Sequence, residues 1–501
     1  MLANATRQLI KQRLGDEIGR IDKDAPRRVA LAYPSPYTVG MSSLGYQQIY
    51  RTIQGLPGTA CERVFAPDPI SYEGLRPLSD FPVIAASVAY ELEIAGLIGL
   101  LEAAQIPALR EARDRRHPLV IAGGPLTFSN PLPLSPFVDA IVVGEAEELI
   151  APVLELTLDA STREGALAAL AALPGVFVPE HHGATLPAVT ACDDGLLPAF
   201  SAIRTPHTEL SQMFLIETER GCSRGCRYCV MRRSTNGGMR VVPKEVVLEK
   251  IPRDVRRVGL VGAAVSDHPR IVEIVRELAE RGCEVGLSSL RPDRLKDEFV
   301  AALKSAGYRT LTTALDGTSE RLRGLIERRG REPHYVAAAE RARKYGMDRL
   351  KLYLMIGLPG ETAEDVDECV QFVGELSKIV PIALGVAPFC AKRKTPLDRM
   401  PYAGVATVEQ RLDRLRRGLR GRADVRAVSA RWAWVEYVLA QGGAAEGLAV
   451  ARAVAAGGSF ADYRRAFAEL GHEPNGAGYA ESAMPPIELP SRRKLSVVPS
   501  A

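Results

Sequence analysis

Three cysteines within eight positions, Cys222, Cys226 and Cys229, carry the strongest chemical signal in this 501-residue sequence. Their C-x3-C-x2-C spacing offers three thiolates from one loop, and the number three is the informative part. A structural zinc or an electron-transfer iron–sulfur centre normally takes four protein ligands, whereas three leave one metal position for a small molecule. Gly221 and Gly225 let the loop wrap tightly, because glycine adopts backbone conformations closed to other residues. Zinc completed by a distant histidine is the competing reading of the same loop.

The other cysteines, Cys61, Cys192, Cys283, Cys369 and Cys390, are scattered, so a secreted disulfide framework is not expected and they read as small buried side chains. Cys390 is set apart by its place beside Pro388 and Phe389 at a strand end. The 64 Lys plus Arg against 60 Asp plus Glu leave +4, too little for global electrostatics to name nucleic acid as a partner. Apolar residues at 46% and charged residues at 25% indicate a folded globular chain. No apolar run approaches the ~18 residues of a membrane span, so no membrane partner and a cytoplasmic location are expected.

The elements around the cysteines alternate. Residues 28–33, 82–87, 119–122 and 140–143 are short apolar runs that read as strands, with helical spacing over 40–53 and 91–104. Strands alternating with helices predict a parallel, doubly wound α/β domain over 26–158, behind an amphipathic helix in 1–25. Residues 159–206 read as a connecting segment, whose paired His181 and His182 lack a third metal ligand nearby. A second series begins at 213–216 and continues at 258–261, 283–287, 310–314, 350–356 and 382–386. Six strands suit an open, partial βα barrel over 207–400, since a closed eight-stranded one typically needs ~250 residues. Residues 401–483 read as helical, with Leu412, Leu415 and Leu419 opposite Arg411, Arg414 and Arg417; 484–501 read as a disordered tail.

The loop, with Tyr228 just before its last cysteine, resembles the signature of the radical S-adenosylmethionine superfamily. The resemblance implies a [4Fe–4S] cluster on the three cysteines, whose open iron binds S-adenosylmethionine. A one-electron donor of the flavodoxin or ferredoxin type then drives cleavage to methionine and a hydrogen-abstracting 5′-deoxyadenosyl radical. Further segments match the family in order. Gly262 and Ala263 stand where its glycine-rich segment meets the S-adenosylmethionine amino group, without the usual acidic third residue. Ser288, Ser289 and Arg291 stand near the methionyl carboxylate, Asp316 replaces a longer glutamate, and Gly357 opens a Gly-Leu-Pro-Gly-Glu turn near the adenine side. His268 is placed at the pocket mouth.

The first domain resembles the cobalamin-binding domain that precedes the barrel in one large subgroup. Gly123, Gly124, Gly144 and Glu145 sit at its strand ends, where glycines permit close approach of a large flat ligand. Where many cobalamin proteins carry Asp-x-His-x-x-Gly, this chain keeps Gly40 but has Tyr37 in place of the histidine, so a lower histidine ligand is not expected. The resemblance spans about residues 26–425 and implies cobalamin-assisted methylation, or a related modification, of an unknown substrate. Two alternatives are a cobalamin-independent radical enzyme, such as one modifying RNA through the arginine-rich helix, and a non-catalytic iron–sulfur protein.

Overall fold

The computed structural model describes residues 4–231 and 238–476. The proposed disordered tail therefore lies outside the described residues. Seven strands form the first sheet: β1 (Arg27–Tyr33), β2 (Thr59–Phe65), β3 (Asp68–Ser71), β4 (Val83–Ser87), β5 (Leu119–Gly123), β6 (Ala140–Val142) and β7 (Val176–Phe177). Their order is β3-β2-β1-β4-β5-β6-β7. The inner five pair in parallel, while β3 and β7 add antiparallel edges. Between β1 and β4 the winding reverses, and ligands of such sheets bind outside the strand C-termini at that switch.

The sheet corrects two expectations. β7 lies beyond residue 158, so the first domain extends into the segment read as a connector. β2 was not anticipated because its sequence, TACERVF, has charges at its centre although all seven residues are buried. Arg63 can be buried there because its guanidinium pairs with Glu17 at 2.8 Å and with Glu73 at 2.6 Å. A buried charge persists when it is paired in this way.

The second domain opens with β8 (Phe214–Glu217), followed by a short antiparallel ribbon of β9 (Glu219–Gly221) and β10 (Met239–Val241). β11 (Arg257–Val261) and β12 (Glu284–Leu287) join β8 in parallel. β13 (Thr310–Asp316), β14 (Arg349–Ile356), β15 (Ile382–Pro388) and β16 (Ala423–Ala427) form a parallel set of four. One bridge, Leu290 to Thr313, connects the two groups into an incomplete barrel. Among the described residues the barrel thus has seven parallel strands, not six: β16 falls in the region expected to be wholly helical. Its sequence, ADVRA, is half exposed and polar, so it carries no strand periodicity and is recruited by pairing with β15.

Two arginines of the helix Val405–Gly418 face the barrel's acids, while Arg416 and Arg417 engage Asp413 of their own helix. Arg411 holds Glu361 at 3.0 Å and Arg414 holds Asp367 at 2.6 Å. The later helices pack back on the first domain, where the Asn130 amide donates to the carbonyls of Leu439, Ala440 and Gly442. One continuous apolar core accordingly runs from Ala30 and Val120 through the barrel to Trp434 and Phe467.

Candidate functional site

The ribbon of β9 and β10 delivers the cysteine loop to the C-terminal end of the barrel, where such folds carry their chemistry. Gly221 turns the chain at φ +85, and Cys222 follows it directly. Cys222, Cys226 and Cys229 all line one cavity of about 230 Å3, together with Ala263, Ser289, Arg291, Asp316 and Tyr353. Burial pushes the Cys222 thiol up and the Cys229 thiol up to about 11. Thiols raised in this way ionise beside a concentrated positive charge, which is what a metal centre supplies.

Tyr228, Asp316 and Arg328 form a wall of this cavity. The Tyr228 hydroxyl donates to Asp316 Oδ2 at 2.7 Å, and Arg328 Nε lies 3.0 Å from the same oxygen. Burial pushes the Asp316 carboxyl up, against the opposing pull of Arg328 and Tyr228. Asp316 sits at φ +62, where the pairing of β13 with β14 shifts register, so its side chain is turned toward the cysteines. Arg328 also approaches Cys226 Sγ at 4.0 Å. No spaced motif pointed to Arg328, which comes from a loop 99 residues beyond Cys229.

Arg291 lines the cavity, yet its fork is engaged by Asp267 and by Asp293, with Nε 3.1 Å from Asp293 Oδ1. A bound carboxylate therefore has to share this arginine with two aspartates. Ser289 faces the cavity, whereas Ser288 points outward and donates to Gly262 O at 3.4 Å. Gly357 does not reach the cavity. Its amide donates to Glu361 Oε2 at 2.6 Å, and Glu361 also accepts from Thr318 and Arg411, so the turn ties the barrel rim to the arginine helix. His268 is 3% exposed with both ring nitrogens engaged, by Val242 O and the Arg270 amide, and burial lowers its pKa. Cys390 donates to Ala433 O at 3.1 Å, an anchor for the following helix.

Glu219 was not singled out in the sequence, and it explains Gly262. Its Oε1 accepts from the Ala264 amide at 2.6 Å, and a Cβ at position 262 would come within 2.1 Å of that oxygen. The glycine-rich segment that lacks its own acidic residue thus closes over a carboxylate borrowed from β9. Glu219 is fully buried and its Oε2 has no partner among the described residues; burial, with help from Glu217 and Asp267, raises its pKa to about 7.

A second cavity, of about 320 Å3, lies between the strand ends of the first sheet and the barrel. Gly123, Gly124, Gly144 and Glu145 line it, as do Leu44, Gly45 and Gln48. A side chain at Gly45 would meet nothing within 4 Å, so this wall is flat and open. Tyr37 and Gly40 do not line it, contrary to expectation. Tyr37 is buried, donates to Glu17 Oε1 at 2.7 Å and stacks on Tyr72, while Gly40 leaves room for the Phe65 ring. Met231 borders both cavities, so the two spaces share a wall.

Glu145 joins the domains at this wall. It pairs with Arg240, lies 3.3 Å from Arg220 and accepts from the Cys192 amide at 2.9 Å. Burial alone would raise its pKa, but these partners outweigh it and hold the carboxyl below its usual value. Glu145, Glu147 and Cys192 converge within 4.8 Å. Arg220, 2.7 Å from Glu147, and Arg240 already balance their charge, so the cluster is an ion-pair lock.

Residues 45–179 match the family model described as radical SAM proteins, N-terminal, and residues 216–373 match that of the radical SAM superfamily. An uncharacterized protein of Methanocaldococcus jannaschii is 27% identical over 386 residues, 74% of this chain and 79% of the relative. The solved structure of the radical S-adenosylmethionine methyltransferase TsrM from Kitasatospora setae covers 72% of each chain, with a TM-score of 0.52 at 15% identity. That of the cobalamin-dependent S-adenosylmethionine radical enzyme OxsB covers 69% of this chain and 51% of its own, with a TM-score of 0.50 at 11% identity. At such identities the likeness concerns the fold. Family matches on both halves, the shared fold and the three-cysteine cavity together identify this chain as a radical S-adenosylmethionine enzyme, built as an N-terminal doubly wound domain followed by an incomplete βα barrel.

Proposed function

We propose that the chain holds a [4Fe–4S] cluster on Cys222, Cys226 and Cys229, binds S-adenosylmethionine beside it, and uses cobalamin in the interdomain cleft to methylate or otherwise modify an unreactive carbon. The donor set fits the cluster: three soft thiols share one cavity beside a guanidinium. The cavity offers Ser289, Arg291 and Asp316 to S-adenosylmethionine, and the cleft offers one face of a flat corrin the open wall at Gly45. Cluster and S-adenosylmethionine together supply reductive sulfonium cleavage and a hydrogen-abstracting radical, and cobalamin would supply the transferable methyl group.

The chain's own residues do the positioning. Glu219 holds the Ala264 amide and so shapes the glycine-rich segment over the cavity; Tyr228 and Arg328 fix Asp316 toward it. Glu145 clamps Arg220 and Arg240 on the ribbon that carries Cys222, which keeps the cleft in register with the cysteines. Among the described residues no histidine lines the cleft, so a corrin held there would have no histidine ligand from them. The observation that carries the reading is the shared Met231 wall: cofactor cleft and cluster cavity are neighbours.

The test is anaerobic reconstitution with iron, sulfide and hydroxocobalamin, followed by reductant and S-adenosylmethionine. About four irons per chain, 5′-deoxyadenosine formation and a retained corrinoid spectrum are expected, and Cys226→Ser should lose the iron and the 5′-deoxyadenosine together. Absence of 5′-deoxyadenosine refutes the radical reading. Its presence without retained corrinoid refutes the cobalamin part alone.

A further inference from the structure

Below the cysteine cavity the barrel is hollow. A closed barrel of this kind fills its interior with layers of large branched side chains. Here Gly286, Ala383 and Gly385 stand on the inner face, and a cavity of about 850 Å3 opens at the N-terminal ends of the strands. That volume lies within the range of small-molecule sites. Two of the large side chains that line it, Met213 and Tyr353, lie directly over glycines: a Cβ on Gly286 would come within 2.9 Å of Met213, and one on Gly385 within 3.0 Å of Tyr353.

Charge in this lumen is uneven. Arg257 pairs with Glu284 at 3.2 Å, Arg309 with Asp348 at 2.9 Å and Arg426 with Asp424 at 3.0 Å. Lys351 and Arg349 also line the lumen, and no carboxylate among the described residues lies within ion-pair distance of either. Both sit on β14 with Tyr353, at alternate positions that share one face. Lys351 Nζ rests 4.8 Å from the Tyr353 ring centre. Tyr353 borders the cysteine cavity as well as the lumen, so the spaces run in order from interdomain cleft past Met231 to cysteine cavity, and past Tyr353 to lumen.

We infer that the lumen is the substrate site and that the substrate is a small molecule carrying an anionic group, phosphate or carboxylate, held by Lys351 and Arg349. At ~3.3 Å per strand residue the anion sits roughly 7–13 Å below Tyr353. The carbon to be modified then passes the Tyr353 ring into the cysteine cavity, approaching it from the side opposite the cofactor cleft. This inference rests on the radical reading of the cysteine cavity.

The experiment uses the reconstituted full chain and equilibrium dialysis at low ionic strength, with inorganic pyrophosphate in one arm and succinate in the other. At least one is expected to bind, and the tighter of the two names the anion as phosphate or carboxylate. Lys351→Ala should weaken that binding about tenfold, and adding Arg349→Ala should weaken it further, since each removes a charge-assisted contact. Lys351→Arg should keep most of the affinity, which excludes misfolding as the cause. Lys378→Ala, at an exposed lysine paired with Glu375 on the far side of a helix, should leave it unchanged. Failure of both anions to bind the wild-type chain, or binding by the double variant within twofold of wild type, overturns the inference. Formation of 5′-deoxyadenosine by the wild-type chain without substrate is scored separately. Its presence with no anion binding sinks the lumen site alone, and its absence with anion binding intact sinks the radical reading and leaves an anion site.

Discussion

Replacing Glu219 by glutamine tests how the glycine-rich segment is held. Burial lifts this carboxyl from its usual 4.5 to about 7, while Oε1 accepts the Ala264 amide and Oε2 is unpartnered among the described residues. A carboxyl with a raised pKa binds its proton more tightly in the folded state. Its contribution to stability is therefore fully present below pH 4.5 and is lost as pH rises through 7. The shift corresponds to roughly 3 kcal/mol between those limits. Glutamine keeps the shape and the acceptor but never ionises, so Glu219→Gln removes the loss. Its NH2 inherits the unpartnered position, a cost of about 1 kcal/mol or more, which leaves a net gain of about 1–2 kcal/mol above pH 8. At pH 5 the same variant should be neutral to slightly destabilised.

A chain of this size does not unfold in one step, so local opening is the quantity to measure. Hydrogen–deuterium exchange of the peptide spanning 258–270 in the cluster-free chain, compared between variant and wild type at the same pH, reads it directly. Protection should favour the variant at pH 8.5 by about 5–30-fold and not at pH 5.5. Equal protection at both pH values, or lower protection of the variant at pH 8.5, refutes the reasoning and means that the segment is held by the charge itself.

Two further substitutions probe the seam between domains. Lys392 bridges Glu91 of the first domain at 2.7 Å and Glu436 of a C-terminal helix at 2.8 Å, with the Glu91 side chain only 2% exposed. Lys392→Ala leaves a buried carboxylate without its partner and should cost about 3 kcal/mol, read as a fall of several degrees in thermal midpoint that Lys392→Arg largely avoids. A Cβ at Gly447 would come within 2.0 Å of the Pro133 carbonyl oxygen. Gly447→Ala must therefore push the helix Ala444–Ala455 off the first domain, at about 1–3 kcal/mol, and should increase proteolysis after residue 440.

Local spacing alone determined the centre of this protein. The three cysteines lie within one loop, so their proximity does not depend on the rest of the fold, whereas it took the fold to show that, among the described residues, no histidine lines their cavity. The strands that carry the site were legible for a related reason: RVALAY is an apolar run buried in a parallel sheet, and in KLYLMI every second residue, Leu352, Leu354 and Ile356, is buried. Illegible strands were those whose burial depends on distant partners. β2 is buried only because Glu17 and Glu73 neutralise Arg63, and β16 pairs only because β15 is beside it.

Tertiary structure decided the rest of the site. Tyr37 and Gly40 occupy a motif position of cobalamin proteins, yet packing against Phe65 and Tyr72 takes them into the core. Gly357 matches a family turn and serves as a latch for Glu361. Conversely, Glu219, Arg328 and Met231 border or support the cavities without belonging to any spaced motif. Their roles arise where separate strands and loops end at the same point, and a linear sequence does not record that convergence.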